Sequence, residues 1–529
     1  MNRKVVKLGN YFKLPNPGLK TYLLKTERGN DEEYRTPFFK GKSLSEILEG
    51  WKVHLAPLEV EWPGLHQFEL DLAEKVGPLS IQKPLKDRLK DIEAYYKGIL
   101  LPSKPIDSDA IQAVLDEWEK ARGLSLRSTP KTWEKMKKST SSGSPLFTKR
   151  RSVGQFTMDS QPCFDLVTRE VHDAKYRQWD PIAILGWRGQ EGGPDFEDVK
   201  QRVVWMFPAA VNLQELRVYQ PLVEVAQRFN LVPAWVSMDS VDWHITRMFD
   251  TKGANDVVIC TDFSKFDQHF NVDMARGASE ILDGLFNGRG DFIQWMWAIF
   301  HIKYTIPLLD SENHAWFGRH GMGSGSGGTN ADETLAHRAL QHEVALSHNQ
   351  TLNPYSQCLG DDGVLTYPGI KVNDVMRSYT AHGQEMNESK QYVSKHECIY
   401  LRRWHHENYR VDDICVGVYA TTRALGRLCE QERYFDPGVW SKEMVALRQL
   451  SILENVKYHP LKEEFVKYCM KGDKYRLGLD LPGFLENIDG IVKEATDLMP
   501  DFLGYVKSQQ KKVGGASEWW IVKYLLSLK

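Results

Sequence analysis

The sequence lacks three features that would place it quickly: a strong excess of charge, a long apolar run and a regular set of cysteines. Its 529 residues carry 68 Lys and Arg against 70 Asp and Glu, a net charge of −2. This balance excludes a protein that is basic throughout, so any surface for nucleic acid would have to be local, such as an enclosed channel. No apolar run approaches the roughly 20 residues that a membrane-spanning helix needs, and the first residues do not resemble a signal peptide. We therefore expect a protein that works away from membranes.

The seven cysteines are scattered and odd in number. That pattern argues against a disulfide framework and favours a reducing compartment. No Cys and His spacing is typical of a zinc site, and the chain has no internal repeats. The length leaves room for a large core or for several subdomains.

The most informative stretch that is present is an acidic pair on a glycine-flanked turn, Gly360-Asp361-Asp362-Gly363, between apolar arms. Paired carboxylates at a strand turn can hold divalent cations against phosphates, since Mg²⁺ prefers a few carboxylates together with waters and substrate phosphates. An Asp-Gly pair is also an ordinary hairpin turn. The pair alone leaves both interpretations open.

A second acidic segment follows a predicted buried strand. Residues 257–260 are apolar without alternation, which indicates a strand buried on both faces, and Asp262 and Asp267 follow it. An acid at the end of such a strand needs a partner for its charge, although Asp262 could instead cap a helix. If the two segments are neighbouring strands, Asp262, Asp361 and Asp362 meet at one edge of a sheet. Two Mg²⁺ ions about 3.5–4 Å apart could there clamp an in-line phosphoryl displacement.

A glycine-rich loop lies between the two acidic segments. Residues 318–328 contain six glycines in eleven positions, too many for the interior of a helix or strand. Apolar spacing from Ala331 to Leu346 predicts a helix directly after the loop, so the loop could present amides to a phosphate or a ribose. It is not a Walker A loop, because no Gly-Lys-Ser/Thr follows. A flexible linker is the alternative.

Taken in order, Asp262-x4-Asp267, Ser324-Gly325-x3-Thr329 and Gly360-Asp361-Asp362 resemble motifs A, B and C of viral RNA-dependent RNA polymerases. The surrounding residues resemble the picobirnavirus polymerases first and the partitivirus polymerases next. The motifs span roughly residues 200–410. The resemblance implies two-metal nucleotidyl transfer, with Asp262 and Asp361 as the main ligands of Mg²⁺ (or Mn²⁺) and Asp362 in support.

The resemblance also implies a nucleotide site. Asp267 would help to select the 2′-hydroxyl of the incoming ribose, and a motif B loop with Ser324, Gly325 and Thr329 would adjust to template and nucleotide. Many relatives carry Asn four residues after the motif B threonine, where this chain has Glu333. Asn330 and Glu333 both remain candidates to complete sugar selection.

Three further segments fit the same resemblance. Asn387-Glu388-Ser389-Lys390 resembles motif D and follows a helix predicted from Val372 to Tyr379; it implies that Lys390, with Lys395 as competitor, protonates the leaving pyrophosphate. Residues 398–403 resemble motif E, a hairpin that grips the primer strand through Arg402 and Arg403. Residues 200–205 resemble motif F, in which Arg202 and Lys200 would contact the triphosphate.

A basic stretch from Lys131 to Arg151 holds seven Lys and Arg and one Glu. Its loop and the flanking Lys149, Arg150 and Arg151 could track the backbone of an RNA template. A mobile surface loop is an equally open interpretation.

The expected fold is α+β, a right-hand polymerase with fingers, a palm bearing an antiparallel sheet and a thumb, closed by contacts between fingers and thumb. The predicted divisions are an extended N-terminal arm (1–40), fingers (41–210), a first palm segment (211–274), a fingers insertion (275–315), a second palm segment (316–420), and thumb with C-terminal tail (421–529). For the closing aromatic segment 519–526, packing in the core is the first expectation and a tail in the product channel the second.

The resemblance implies RNA template and product, NTPs and a viral capsid protein as partners. It further implies a segmented double-stranded RNA genome, a monomer, and a place in the virion interior and the host cytoplasm. Two alternatives remain. A reverse transcriptase shares the palm, but Asp267 stands where a bulky residue that excludes 2′-hydroxyls would be expected. A non-enzymatic RNA-binding protein would use these acids only structurally.

Overall fold

Helices and short strands alternate along the chain in the computed structural model, which describes residues 2–288, 290–498 and 515–529, without the side chains of residues 497 and 498. The helices are α1 (Pro17–Arg28), α2 (Leu44–Lys52), α3 (Ala56–Glu61), α4 (Pro63–Ala73), α5 (Leu85–Lys97), α6 (Ser108–Glu117), α7 (Thr129–Lys135), α8 (Gly154–Asp159), α9 (Ala209–Arg228), α10 (Pro233–Val236), α11 (Met238–Thr251), α12 (Phe266–His269), α13 (Val272–Phe286), α14 (Gly290–Trp295), α15 (Thr329–Leu346), α16 (Val372–Thr380), α17 (Thr421–Cys429), α18 (Lys442–Leu453), α19 (Lys462–Lys471), α20 (Ile488–Leu498) and α21 (Trp520–Ser527). The strands are β1 (Arg3–Val5), β2 (Pro162–Phe164), β3 (Val171–Asp173), β4 (Ala183–Gln190), β5 (Lys200–Met206), β6 (Val258–Thr261), β7 (Phe263–Ser264), β8 (Leu308–Ser311), β9 (His314–Trp316), β10 (Gln357–Leu359), β11 (Asp362–Leu365), β12 (Glu385–Met386), β13 (Tyr392–Ser394), β14 (Glu397–Tyr400) and β15 (Arg403–His406).

A four-stranded antiparallel sheet, hereafter the central sheet, has the order β10-β11-β6-β13. All four residues of β6 are buried, as the apolar run predicts. Because β6 and β11 are neighbours, the predicted strand and the predicted hairpin lie side by side.

A second, five-stranded sheet has the order β1-β9-β8-β4-β5. Strand β4 runs parallel to β8 and forms a long antiparallel hairpin with β5. This β4–β5 hairpin carries the segment that resembles motif F.

Two large cores hold the elements together. The first packs α5, α6, α9, α13 and α15 against one face of the central sheet. The second joins α2, α3 and α4 to the helices α17 to α21. The N-terminal helices therefore share a core with the C-terminal ones, which links the two ends of the chain.

The first 40 residues differ from the expected extended arm, because they contain the three-residue strand β1 and the twelve-residue helix α1. Asn16 caps α1 by accepting from the backbone N–H of Leu19, Pro17 occupies the first helical turn, and Leu19 and Leu23 are buried. The Pro and Gly that suggest extended chain in fact mark the start of a helix.

The other predicted elements agree with the structure. A helix, α15, follows the glycine loop directly, the motif E segment forms the β14–β15 hairpin, and the region after residue 420 is helical. The closing aromatic segment packs in the second core through Ile521, Val522 and Leu525. The predicted thumb and tail also include residues 499–514, which lie outside the described residues.

Within the described ranges, no helix has the length and apolar character needed to cross a membrane.

Candidate active site

The acidic residues meet at one end of the central sheet. The β10–β11 hairpin turns at Gly360, whose φ of +58° is a left-handed conformation that glycine adopts without strain. Gly363 pairs with Thr261 across the β11–β6 ladder. Continuing that antiparallel register places Asp362 opposite Asp262. The structure thus brings the motif A acid and the acidic pair together.

Helix α15 packs against the acidic turn and holds it through two hydrogen bonds. The backbone N–H of Gly360 donates to the Thr334 hydroxyl at 2.9 Å, and the buried His337 ring donates through Nδ1 to the Gly360 carbonyl at 2.8 Å. A Cβ added at Gly363 would lie 2.6 Å from the His337 ring, so only glycine fits there. Sequence reasoning missed Thr334 and His337, since nothing but their place on α15 distinguishes them.

The side chains of Asp262, Asp361 and Asp362 are exposed, but the surrounding protein limits the hydration of their carboxylates. That partial desolvation raises the pKa of all three, and neighbouring carboxylates raise the pKa values of Asp361 and Asp362 further. Lys390 opposes the effect at Asp262 by lowering its pKa. The site is therefore a set of repelling acids that stays open to a ligand.

Backbone contacts fix where Asp262 stands. Its N–H donates to Gln391 Oε1 at 2.9 Å, and Gln391 Nε2 donates back to the Asp262 carbonyl at 2.8 Å. Gln391 directly follows Lys390, so the same bonds hold the motif D lysine beside the motif A acid. The exposed Lys390 thus lies close enough to Asp262 for its charge to lower the pKa of that carboxyl, and its role as a general acid stays a prediction.

The donor set suits a hard divalent cation. In the described part of the chain, no three His, Cys, Asp or Glu side chains stand close enough to hold a metal ion by themselves. Two or three exposed carboxylate oxygens nonetheless fit Mg²⁺, which completes its octahedron with water and phosphate oxygens. Cation binding would also relieve the repulsion that raises the pKa values of Asp361 and Asp362.

Next to the acids, three ionisable side chains form a small network. Arg202 on β5 pairs with Asp267 at 3.1 Å. Glu333 is buried, and this burial, followed by its hydrogen bond and charge contact with Asp267, raises its pKa well above the usual value. Burial and the neighbouring carboxylate thus both favour the protonated form of Glu333, which can donate to Asp267. Within the described residues its Oε1 has no hydrogen-bond partner.

Asn330 lies beside the acidic turn, one helical turn before Glu333 on α15. Its Oδ1 accepts from the indole N–H of the buried Trp235 at 2.7 Å. A Cβ at Gly360 would come within 3.6 Å of Asn330 Nδ2 and 3.5 Å of Glu333 Oε2. Both candidates for sugar selection thus lie against Gly360, next to the acidic pair. Sequence reasoning missed Trp235, which carries no local signal.

The glycine loop lies on strand β5. The Ser324 hydroxyl accepts from Trp205 N–H at 3.3 Å, and a Cβ at Gly325 would be only 1.6 Å from the Trp205 carbonyl. Thr329 closes the loop by donating to the Gly323 carbonyl at 2.9 Å. The glycines are therefore needed for close packing of the loop on β5.

A buried acid on α9, missed by sequence reasoning, holds the far end of the loop. Glu215 is fully buried and accepts from the Ser326 hydroxyl, from Gly327 N–H at 3.1 Å and from Asn212 Nδ2 at 3.2 Å. Its place on the apolar face of α9, three residues before Val218, is the sequence signal that could have indicated it.

The predicted RNA-binding residues fall into two groups. Lys149, Arg151 and Arg402 are exposed. Arg150 instead donates to Asn212 Oδ1 at 2.7 Å, and Arg403 donates to Asn455 Oδ1 at 3.2 Å. The structure therefore exposes three of the five, of which Arg402 also pairs with Glu191, and engages the other two within the protein.

Lys200 lines a cavity of about 710 Å³ between the β4–β5 loop and the helices α2 and α4. Lys75 lines the same cavity, and its charge lowers the pKa of Asp262. Gly77 brings this segment against the β4–β5 loop by donating to the Gly192 carbonyl at 2.8 Å. Lys75 lies far from every motif in the sequence, which is why the sequence did not indicate it.

Comparison with known proteins gives one consistent result. Residues 103–409 match the family described as viral RNA-dependent RNA polymerase. The chain is 57% identical over 532 residues to a protein from human picobirnavirus named "Potential RNA-dependent RNA polymerase", covering 98% of both. It superposes on the crystal structure of the RNA-dependent RNA polymerase of a human picobirnavirus with a TM-score of 0.93 at 55% identity, covering 99% of each chain. An insertion-loop deletion mutant of such a polymerase gives a TM-score of 0.92 at 54% identity, again over 99% of each chain.

Proposed function

The chain belongs to the viral RNA-dependent RNA polymerases, and on that premise we propose that it copies RNA by two-metal nucleotidyl transfer at Asp262 and Asp361. The observation that supports this most is the β6–β11 register, which sets the motif A acid beside the acidic pair of motif C. Asp362, which continues the register opposite Asp262, is assigned the supporting role. The superposition on a solved viral RNA-dependent RNA polymerase confirms the expected right-hand fold.

In the proposed mechanism the protein positions the substrates. Mg²⁺ or Mn²⁺ held by Asp262 and Asp361 would lower the pKa of the attacking 3′-hydroxyl and offset charge on the pyrophosphate. Lys390, beside Asp262, gives a proton to the leaving pyrophosphate. Arg202 and Lys200 bind the triphosphate oxygens, for which Arg202 must leave its ion pair with Asp267.

The proposed sugar selection uses the network around Asp267. Once Arg202 moves to the triphosphate, Asp267 accepts a hydrogen bond from the ribose 2′-hydroxyl. Protonated Glu333 holds Asp267 in place, and Asn330, oriented by Trp235, offers its amide N–H groups to the nucleotide. Ser324, Gly325 and Thr329 shape the loop beneath it.

The subdomain division predicted from the sequence belongs to the same proposal. Residues 41–210 and 275–315 are assigned to the fingers, 211–274 and 316–420 to the palm, and 421–529 to the thumb and tail. The core that α2 to α4 share with α17 to α21 supports a closed hand. Lys149, Arg151 and Arg402 would contact RNA. The biological setting that goes with this is a segmented double-stranded RNA genome, replicated and transcribed by a monomer beside capsid protein in the virion and host cytoplasm.

One experiment separates this proposal from its alternatives. The purified chain receives an RNA template with four NTPs or four dNTPs, and Mg²⁺ or Mn²⁺. We expect template-dependent RNA from NTPs. Product from dNTPs alone would indicate a reverse transcriptase, and tight RNA binding without any synthesis would leave a binding protein.

A further inference from the structure

One buried histidine contacts both sides of the acidic turn. His337 on α15 is fully buried, and its Nδ1 donates to the Gly360 carbonyl at 2.8 Å. A Cβ added at Gly363 would lie 2.7 Å from its Nε2. The ring therefore packs against the residue directly before and the residue directly after the pair Asp361 and Asp362.

The same ring also lies against the chain segment that carries Asp262. It packs on the ring of Phe263, which follows Asp262, with the two ring centroids 5.2 Å apart at an interplanar angle of 84°. The hydroxyl oxygen of Thr261, which precedes Asp262, would lie 2.7 Å from the added Cβ of Gly363, as close as Nε2 of His337. His337 is thus packed among the neighbours of both proposed metal ligands.

Helix α15 is itself bonded to one arm of the β10–β11 hairpin. Arg338, the residue after His337, donates to the Ser356 carbonyl at 2.7 Å, and Gln341 donates to the Gln357 carbonyl at 2.9 Å. Both acceptors lie at the start of β10 or directly before it. Because these bonds fix the helix relative to the arm, a shift of the turn alone stretches the bond from His337.

The Nδ1 donor is the feature of His337 that an apolar side chain could not replace. A carbonyl only accepts, so the Nδ1 that faces Gly360 carries a proton, and Nε2 of the neutral ring is an acceptor. Among the described residues this Nε2 has no hydrogen-bond partner. An apolar residue would avoid the unpaired nitrogen, but it would leave the buried Gly360 carbonyl without this donor.

We propose that His337 is a positioning residue that fixes the distance between Asp262 and Asp361 and thereby sets the affinity of the site for divalent cations. The bond from Nδ1 holds the turn at Gly360, and the packing of the ring on Phe263 holds the segment of Asp262. The distance matters because Mg²⁺ demands near-octahedral ligands at about 2.0–2.1 Å. The inference rests on the proposed two-metal function, but cation binding can be measured without synthesis.

Two different amides in place of His337 test the proposal. In His337→Asn the amide nitrogen stands near the place of Nδ1 and can donate to Gly360, whereas in His337→Gln it reaches the place of Nε2 and cannot. The probe is Mn²⁺ alone, added to the full chain without RNA or NTP, and electron paramagnetic resonance measures its binding. We expect about tenfold weaker binding in His337→Gln and binding within about twofold of the wild type in His337→Asn.

His405→Gln is the matched control. His405 on β15 is also fully buried, donates through Nδ1 to the Cys415 carbonyl at 2.9 Å, and has no partner for Nε2 in the described part of the chain. Its Nδ1 bond does not involve either acid-bearing segment, so we expect Mn²⁺ binding to be unchanged. Wild-type binding in His337→Gln, equal weakening in His405→Gln, or equal weakening in His337→Asn would overturn the proposal.

Hydrogen–deuterium exchange without metal is a second readout that does not depend on cation binding. The peptide that covers β10, the turn and β11 should exchange faster in His337→Gln and at the wild-type rate in His337→Asn. Equal exchange in all three proteins would contradict the positioning role. A failure of the two-metal function would show elsewhere, since Asp361→Asn would then retain synthesis while the exchange at the turn stayed as predicted.

Thermal unfolding checks that each variant is folded. If His337→Gln does not fold, Thr334→Val replaces it, because this change removes the hydroxyl that accepts from Gly360 N–H and loosens the same turn. We then expect weaker Mn²⁺ binding and faster exchange at the turn in Thr334→Val. Wild-type values of both would reject the link between the turn and cation affinity.

Discussion

Two acidic sites in this molecule show opposite uses of a carboxylate. Glu69 on α4 is fully buried and accepts from Thr421 N–H at 2.6 Å, from Thr422 N–H at 3.0 Å and from His459 Nε2 at 2.9 Å. Although burial alone would raise its pKa, the contacts with His459 and the two backbone N–H groups lower it below the usual value. Asp361 and Asp362 have raised pKa values and exposed oxygens.

The protein supplies hydrogen-bond and charge partners to Glu69, whereas it leaves Asp361 and Asp362 to be neutralised by a ligand. Glu69 caps the first turn of α17 and ties α4 to it, so its charge stabilises the fold. The two carboxylates of the acidic pair repel each other, and a bound cation would relieve that repulsion. The predictions below test whether these two roles can be separated.

The largest expected effect is the loss of synthesis in Asp361→Asn, by about a thousandfold or more, because this change removes the proposed metal ligand, which would act in the transition state. We expect the thermal stability of the variant to be no lower than that of the wild type, since the change removes one of two charges that repel each other. Primer extension and thermal unfolding measure the two properties. Asp362→Asn, the matched variant, should lose less activity. Normal synthesis by Asp361→Asn would refute its assigned role.

The corresponding change at the buried acid is Glu69→Gln. It should lower the free energy of unfolding by about 3–5 kcal/mol, because it breaks a buried network of charged partners. Denaturant unfolding measures it, and Glu59→Gln on the exposed face of α3 is the control. The pKa of Glu69 in the folded protein lies below its ordinary value of 4.5. The stability that ionised Glu69 provides is therefore fully present above pH 4.5 and is lost as the pH falls through the folded pKa. We expect the free energy of unfolding of Glu69→Gln to lack this part of the pH dependence.

Lys390→Ala should reduce kcat by about a hundredfold and leave the KM for NTP nearly unchanged, because the proposed general acid would act on the leaving group and not in binding. Lys395→Ala is the control, as an exposed lysine of the same segment. Steady-state kinetics with each variant decide between them. An equal or larger loss in Lys395→Ala would transfer the role to Lys395.

The smallest effect concerns the sugar. Asp267→Ala should lower the preference for NTP over dNTP by about tenfold, since the hydrogen bond to the 2′-hydroxyl is lost. Glu333→Gln keeps a donor toward Asp267 and should change the preference much less. Competition between matched NTP and dNTP measures both. An unchanged preference in Asp267→Ala would reject its role in sugar selection.

The central sheet and its acids could be predicted because their signals are local. An unbroken apolar run marks β6, and a glycine-flanked Asp pair marks the β10–β11 turn. The helix after the glycine loop follows from apolar spacing within α15. Each of these needs only neighbouring residues.

Contacts between distant residues could not be predicted in the same way. Trp235 orients Asn330 from 95 residues away, and Glu191 meets Arg423 across 232 residues. Neither pair has a pattern that a single sequence reveals, because tertiary packing brings the partners together. Helix α1 escapes prediction for a different reason: its Asn-Pro-Gly start is also typical of extended chain.

The account depends most on Asp262 and Asp361 together holding two cations. The direct measurement is the number of Mn²⁺ ions that the polymerase binds in the presence of an RNA hairpin and a non-hydrolysable NTP. Electron paramagnetic resonance counts these ions. We predict about two ions per wild-type chain, fewer in Asp361→Asn, and the wild-type number in Glu69→Gln where it remains folded. Two ions bound with wild-type affinity by Asp361→Asn would contradict the account.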